Sequence, residues 1–239
     1  MIYEYAIFNI IIISAPLILG CLKPFYFLKH WLQVLVSVLL VGVPYLIWDS
    51  LVAGWHWKFN YHYILGIELF NLPVEEILFF MTVPAACLFT WEMLIRRLDN
   101  QSIPLLKTIR PVFYLLPVLG IIIFLHGQQY TGLAIIFMGL AILSDRFLKT
   151  HLFLQKRFTI YFILVIFFTL IFNGYLTWRP VVVYNEIYKT GLKIFTIPLE
   201  DFGFGFSLIY LNTVVYEKLK LLKIFAADHS TGTIMNQPM

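Results

Sequence analysis

Seven apolar segments of membrane length recur along this chain, and they constrain its fold more tightly than any motif does. They run roughly over residues 2–20, 31–48, 73–95, 111–128, 130–148, 158–172 and 198–216, each near the ~20 residues that a bilayer core demands of a helix. The fourth is the weakest, because Pro117 and Gly120 interrupt it and only His126 to Gln129 separate it from the fifth. Without it the count would be six. Charged residues make up 13% of the chain and mean hydropathy is +0.85, whereas a soluble domain carries about 25% charge. No soluble domain fits between the apolar segments. The first segment has no basic stretch before it and no small-residue cleavage site after it, so it reads as a true span and not a removed signal peptide. Cys21 and Cys87 are isolated, which gives neither a disulfide framework nor a zinc site.

The basic residues test the seven-span reading. With alternating sides, Lys23, Lys29, Arg96, Arg97, Lys107, Arg110, Arg146, Lys149, Lys156, Arg157, Lys218, Lys220 and Lys223 share one side, and Lys58, Arg179, Lys189 and Lys193 share the other. The bias places the N-terminus outside and the C-terminus in the cytoplasm. The net charge of +4 then reads as topology signals and anionic-lipid contacts at helix ends, with no nucleic-acid partner.

The chain also repeats itself at an offset of 125. Asn60 matches Asn185, Tyr63 Tyr188, Gly66 Gly191, Phe70 Phe195, Pro73 Pro198, Glu75 Glu200, Phe79 Phe204 and Glu92 Glu217, while Glu76 becomes Asp201. The same offset lays the first three helices on the last three without a gap. The expected fold is therefore an all-α integral membrane protein of seven transmembrane helices. Residues 1–99 and 130–225 form two parallel three-helix repeats, residues 100–129 supply a loop and a linker helix, and residues 226–239 form a disordered tail. The linker helix restores the orientation of the first unit, so both copies of the motif face one side.

The motif itself reads PVEE in one unit and PLED in the other. Proline at a helix start followed by acids is ordinary capping chemistry, and one copy alone would mean no more than that. A second copy with Asn, Tyr and Gly at the same upstream spacing favours function, because carboxylates at membrane depth are costly. Glu75, Glu76, Glu200 and Asp201 are the candidate catalytic residues. Positions 75 and 76 lie about 100° apart on a helix, so one can serve a site while the other faces elsewhere. Around them Asp49, Trp55, Trp57, Asn60, Tyr63, Trp178, Asn185 and Tyr188 are candidate substrate contacts, with aromatic faces suited to a cation or to an interfacial belt. Asp49 has no acidic counterpart in the second unit, where Asn173 and Gly174 stand, so the two units differ in their work. His56 and His62 lack a third ligand and read as hydrogen-bonding residues, not a metal site. Glu92 and Glu217 fall at the far membrane face and read as exposed partners of Arg96, Arg97 and Lys220.

These residues resemble the integral-membrane lycopene cyclases, of heterodimeric or fused type, whose halves each carry a PxE[ED] element. The resemblance covers about residues 1–224. It implies a non-redox isomerase that cyclises the acyclic ψ ends of lycopene to β rings. A general acid protonates the terminal C1=C2 alkene, C5=C6 attacks the cation at C1, and a base removes a proton from C6. It implies no cofactor, and the chain offers no GxGxxG after a strand. It further implies a carotenoid substrate, membrane lipid and other enzymes of the same pathway as partners, and a place in the bacterial cell membrane. The second unit departs from the first, with Asp for Glu and GFGF for ILFF. The alternatives are a cyclase or hydratase acting on another acyclic carotenoid, and a small transporter or structural membrane protein. The last helix has no lysine for a retinal Schiff base, and no Asp-rich diphosphate motif marks a prenyl transferase.

Overall fold

The architecture is taken from a computed structural model that describes residues 3–22 and 27–224. The expected tail at 226–239 lies outside the described residues. Eight α-helices appear among the described residues: α1 (Glu4–Gly20), α2 (Trp31–Val52), α3 (Val74–Arg97), α4 (Pro104–Phe113), α5 (Leu116–Leu125), α6 (Gln129–Phe147), α7 (Lys156–Trp178) and α8 (Leu199–Leu221). Short strands β1 (Trp57–Phe59), β2 (Glu68–Leu69) and β3 (Leu72–Pro73) precede α3, and β4 (Val182–Tyr184), β5 (Lys193–Ile194) and β6 (Ile197–Pro198) precede α8.

Among the described residues, five helical stretches are long and apolar enough to cross a membrane: Phe27–Val52, Val74–Arg97, Pro104–Leu125, Gln129–Phe147 and Lys156–Trp178. Together they make this a multi-pass membrane protein. The outer helices carry the surface that lipid requires, with Ile7, Ile10, Leu40, Ile47, Val118, Ile163 and Phe167 exposed. At 17 residues, α1 is shorter. For α8 the low hydropathy has a physical reason. It packs against α2, α3, α6 and α7, so its Ser207, Asn212 and Thr213 are fully buried in protein and meet no lipid.

The expected fourth span at 111–128 is instead two helices. It begins earlier, at Pro104, and breaks around Tyr114 and Leu115, where the Tyr114 N–H turns back to the Pro111 carbonyl. Pro117 sits in the first turn of α5, where its missing N–H costs nothing.

Backbone geometry repeats at the 125 offset. β2 pairs with β3 antiparallel with Glu68 opposite Pro73, and β5 pairs with β6 with Lys193 opposite Pro198. Phe70 and Phe195, at φ 53° and 55°, form the hairpin tips and are 85% and 87% exposed. Such strained, projecting rings suit the membrane interface. Gly66 and Gly191 recur because both hold left-handed φ, +77° and +78°. The halves meet in an antiparallel β1–β4 ribbon, Trp57 opposite Tyr184 and Phe59 opposite Val182. Because Phe59 and Tyr184 are 125 apart, as are Trp57 and Val182, an approximate two-fold passes between Lys58 and Val183.

Candidate active site

Each acidic pair divides its work. Glu75 accepts the Leu65 N–H at 2.5 Å. Glu200 accepts the Thr190 N–H at 2.8 Å and the Thr190 and Thr131 hydroxyls at 2.7 Å. These first acids pin the upstream loops to the helix starts, and each keeps a second carboxylate oxygen buried without a partner. The second acids, Glu76 and Asp201, turn about 100° further round their helices into a shared cavity of about 420 Å³.

In that cavity Tyr5 donates its hydroxyl to Glu76 at 2.6 Å. Asp49, on α2, accepts the Trp57 indole N–H at 2.7 Å, and its other oxygen is buried with no partner. Asp201 is far better supplied. Tyr130 donates to one oxygen at 2.7 Å, and Tyr184 and Asn173 donate to the other at 2.7 Å each. Burial, and then the neighbouring Asp201 charge, push the Tyr184 phenol well above its usual range, which keeps it a donor.

The rest of the lining is mostly apolar and aromatic, with Phe59, Phe79, Phe80, Phe172 and Phe204 among it and Thr90 and Thr169 as the hydroxyls. Trp57 and Tyr130 meet at 5.1 Å between ring centroids. Among the described residues no Lys, Arg or His lines the cavity. Three carboxyls thus share the cavity with no basic side chain in its described lining. A larger cleft of about 630 Å³ at the opposite end is lined by Lys107, Arg110, Arg146 and His151, with no carboxyl among its described lining. Among the described residues no three His, Cys, Asp or Glu side chains gather to hold a metal.

Of the residues singled out in the sequence, Asp49, Trp57, Glu76 and Asp201 reach this cavity and the others do not line it. Asn60 and Asn185 build turns, accepting the N–H of His62 and Ile187. The Tyr63 ring lies under Arg179 at 5.0 Å. Tyr188 stacks on His56 at 4.2 Å, whose Nε2 pairs with Gln129 at 2.9 Å. Trp55 and Trp178 are largely exposed.

The far-end pair departs from its expected exposure. Glu92 is buried and accepts Tyr216 at 2.8 Å besides meeting Lys220, while Glu217 accepts the Trp91 indole at 2.8 Å. Trp91 and Tyr216 are fully buried at the meeting of the halves, and their polar atoms need acceptors there. Tyr5, Tyr130 and Tyr184 went unnoticed in the sequence, and Asn173 stood there only as a mark of the missing acid opposite Asp49. Tyr5 and Tyr130 stand 125 apart, so the repeat itself carried the signal.

A protein-family model described as lycopene cyclase matches residues 3–94 and 127–219. The two stretches end at residues related by the 125 offset. No curated protein and no solved structure matches the chain.

Proposed function

The chain belongs to the lycopene cyclase family, and on that premise we propose that it is a lycopene β-cyclase working through the cavity between its two acidic centres. The observation that carries this reading is the convergence of Asp49, Glu76 and Asp201 with aromatic rings on one apolar cavity lacking basic residues. Cyclising a polyene end needs a proton, a place for a tertiary cation and a proton acceptor, and no electrons. The Asp49 and Glu76 pair, poor in donors, supplies the proton to the terminal alkene. Asp201, held by three donors, is the anion that faces the cation. It takes the proton from C6, for which a weak base suffices because a carbocation is a strong carbon acid. Trp57, Tyr130 and the phenylalanines shield the cation from water, which would otherwise trap it as an alcohol. Glu75 and Glu200 act as positioning residues that fix the loops over the site.

The proposal extends to the whole architecture. Seven spans form two parallel units, 1–99 and 130–225, joined through α4 and α5, with the N-terminus outside and the acidic centres near the outer face. Expression in lycopene-accumulating cells, followed by pigment chromatography, tests the function. The expected result is β-ringed carotenoid at lycopene's expense. Unchanged lycopene despite abundant membrane protein would count against it, and hydroxylated acyclic products would favour a hydratase.

A further inference from the structure

Beyond the carboxyls, the cavity runs along the bundle. Its α3 lining extends from Glu76 to Thr90, about 21 Å at 1.5 Å per residue. The β1–β4 ribbon closes the acidic end through Trp57, Phe59, Val182 and Tyr184. At that end α1 and α7 are clamped together. Glu4 accepts Tyr175 at 2.5 Å and Arg179 at 2.7 and 3.0 Å, and Phe8 packs on Phe172 and Tyr175. Further along, Ile11 and Ala15 line the cavity while also lying exposed on the outer face of α1, Ile11 at 59%. The cavity therefore opens sideways, between α1 and α7, onto the apolar surface.

The approximate two-fold relates this seam to one between α6 and α2, and there the space is filled. Where α1 has Ile12, α6 has Phe137, and where α7 has Leu170, α2 has Tyr45. Tyr45 packs on Phe137 at 4.4 Å and on Phe204 at 4.8 Å, and its hydroxyl pairs with Ser207 at 2.8 Å. Outside them α5 lies tightly on α6, with Phe124 of α5 reaching Trp48 of α2 at 6.2 Å.

Resting on the cyclase reading, we propose that the α1/α7 seam is the single lateral portal through which a polyene end enters from the bilayer, and that α5 with the Tyr45, Phe137 and Phe204 cluster seals the seam related to it. Both acidic centres serve that one tunnel. Two ends of a molecule cannot thread it together, so rings form one at a time. The hydrocarbon stays in lipid or in apolar lining throughout, and never crosses water.

The repeat supplies a matched control, since Ala15 corresponds to Leu140, which is 41% exposed on α6. Ala15→Trp and Leu140→Trp place the same indole ring at equivalent places. Ala15→Trp should lower lycopene conversion by about 10²-fold, because the reacting end no longer reaches its position, and Leu140→Trp should leave it unchanged. Ile11→Trp gives a second obstruction at an exposed rim that loads no core. The same three changes in a Glu76→Gln background are scored by lycopene absorbance co-purifying with the chain. That readout survives if the wild-type chain cyclises nothing, an outcome that would sink the function reading alone. Equal retention of pigment and turnover by the α1 variants, or equal loss in Leu140→Trp, would overturn the portal.

Discussion

Glu75 and Glu76 are sequence neighbours with different surroundings, and the 100° between them decides which one faces the cavity. Gln in place of Glu76, or Asn in place of Asp201, keeps size and most hydrogen bonding but removes the proton step. Each should cost about 10²-fold or more in cyclisation if that step limits the rate. Glu75→Gln retains an acceptor for Leu65 and should keep most activity. Pigment ratios at matched membrane levels check this, and a Glu75→Gln loss as deep as that of Glu76→Gln would reverse the assignment. Tyr184→Phe deletes one of three donors to Asp201 while Asn173 still serves the same oxygen, and should cost less than Asp201→Asn in the same assay, a loss of about 0.5–1.5 kcal/mol. The acidic pairs were legible because they recur. Their division of labour was not, because periodicity gives the angle between two residues and not which of them faces a cavity. Tyr184 had no repeat partner to reveal it, since residue 59 is Phe.

At the scale of elements, hydropathy located the helices but gave the linker as one helix where there are two. Pro111 and Pro117 flag a disturbance, yet only the packing on α6 shows a break. A Cβ on Gly132 would meet the Gly120 carbonyl and the Phe124 amide at 2.6 Å, and one on Gly139 would meet Pro117 at 2.4 Å. Those close approaches hold α5 over the sealed seam. Gly132→Ala should therefore destabilise by about 1–3 kcal/mol through overpacking, whereas Gly205→Ala meets nothing within 4 Å and should be neutral or stabilising. Thermal unfolding in detergent separates them, and equal transitions would show that α5 yields without strain. The Arg110–Asp145 pair, buried on both sides at 3.2 Å, ties α4 to α6. It was hidden because Arg110 read only as a topology charge.

At the scale of the whole molecule, the duplication was readable residue by residue, but the meeting of the halves was not, since an offset carries no information about docking. The proposed orientation follows from the basic-residue bias. In a Cys21→Ser background, Ile187→Cys should react with an impermeant thiol reagent in intact cells and Leu221→Cys should not. The opposite pattern would invert the chain. Docking makes a sharper prediction. Asp49 and Glu76 come from the first half, Asp201, Tyr130 and Tyr184 from the second, and the β1–β4 ribbon, the Tyr45–Ser207 bond and the Trp91–Glu217 and Tyr216–Glu92 bonds all cross between them. A covalent link is then dispensable once the halves have met. Cutting between Asp99 and Asn100 falls in an exposed stretch and spares the bonds that hold the following loop, Lys156 N–H to Gln101 and Ile103 N–H to Leu154. Residues 1–99 and 100–239 produced together should restore cyclisation and co-purify, while each fragment alone should be inactive because it carries only one wall of the cavity. Cyclised pigment from either fragment alone would show that one acidic centre suffices and that the shared cavity is not the site.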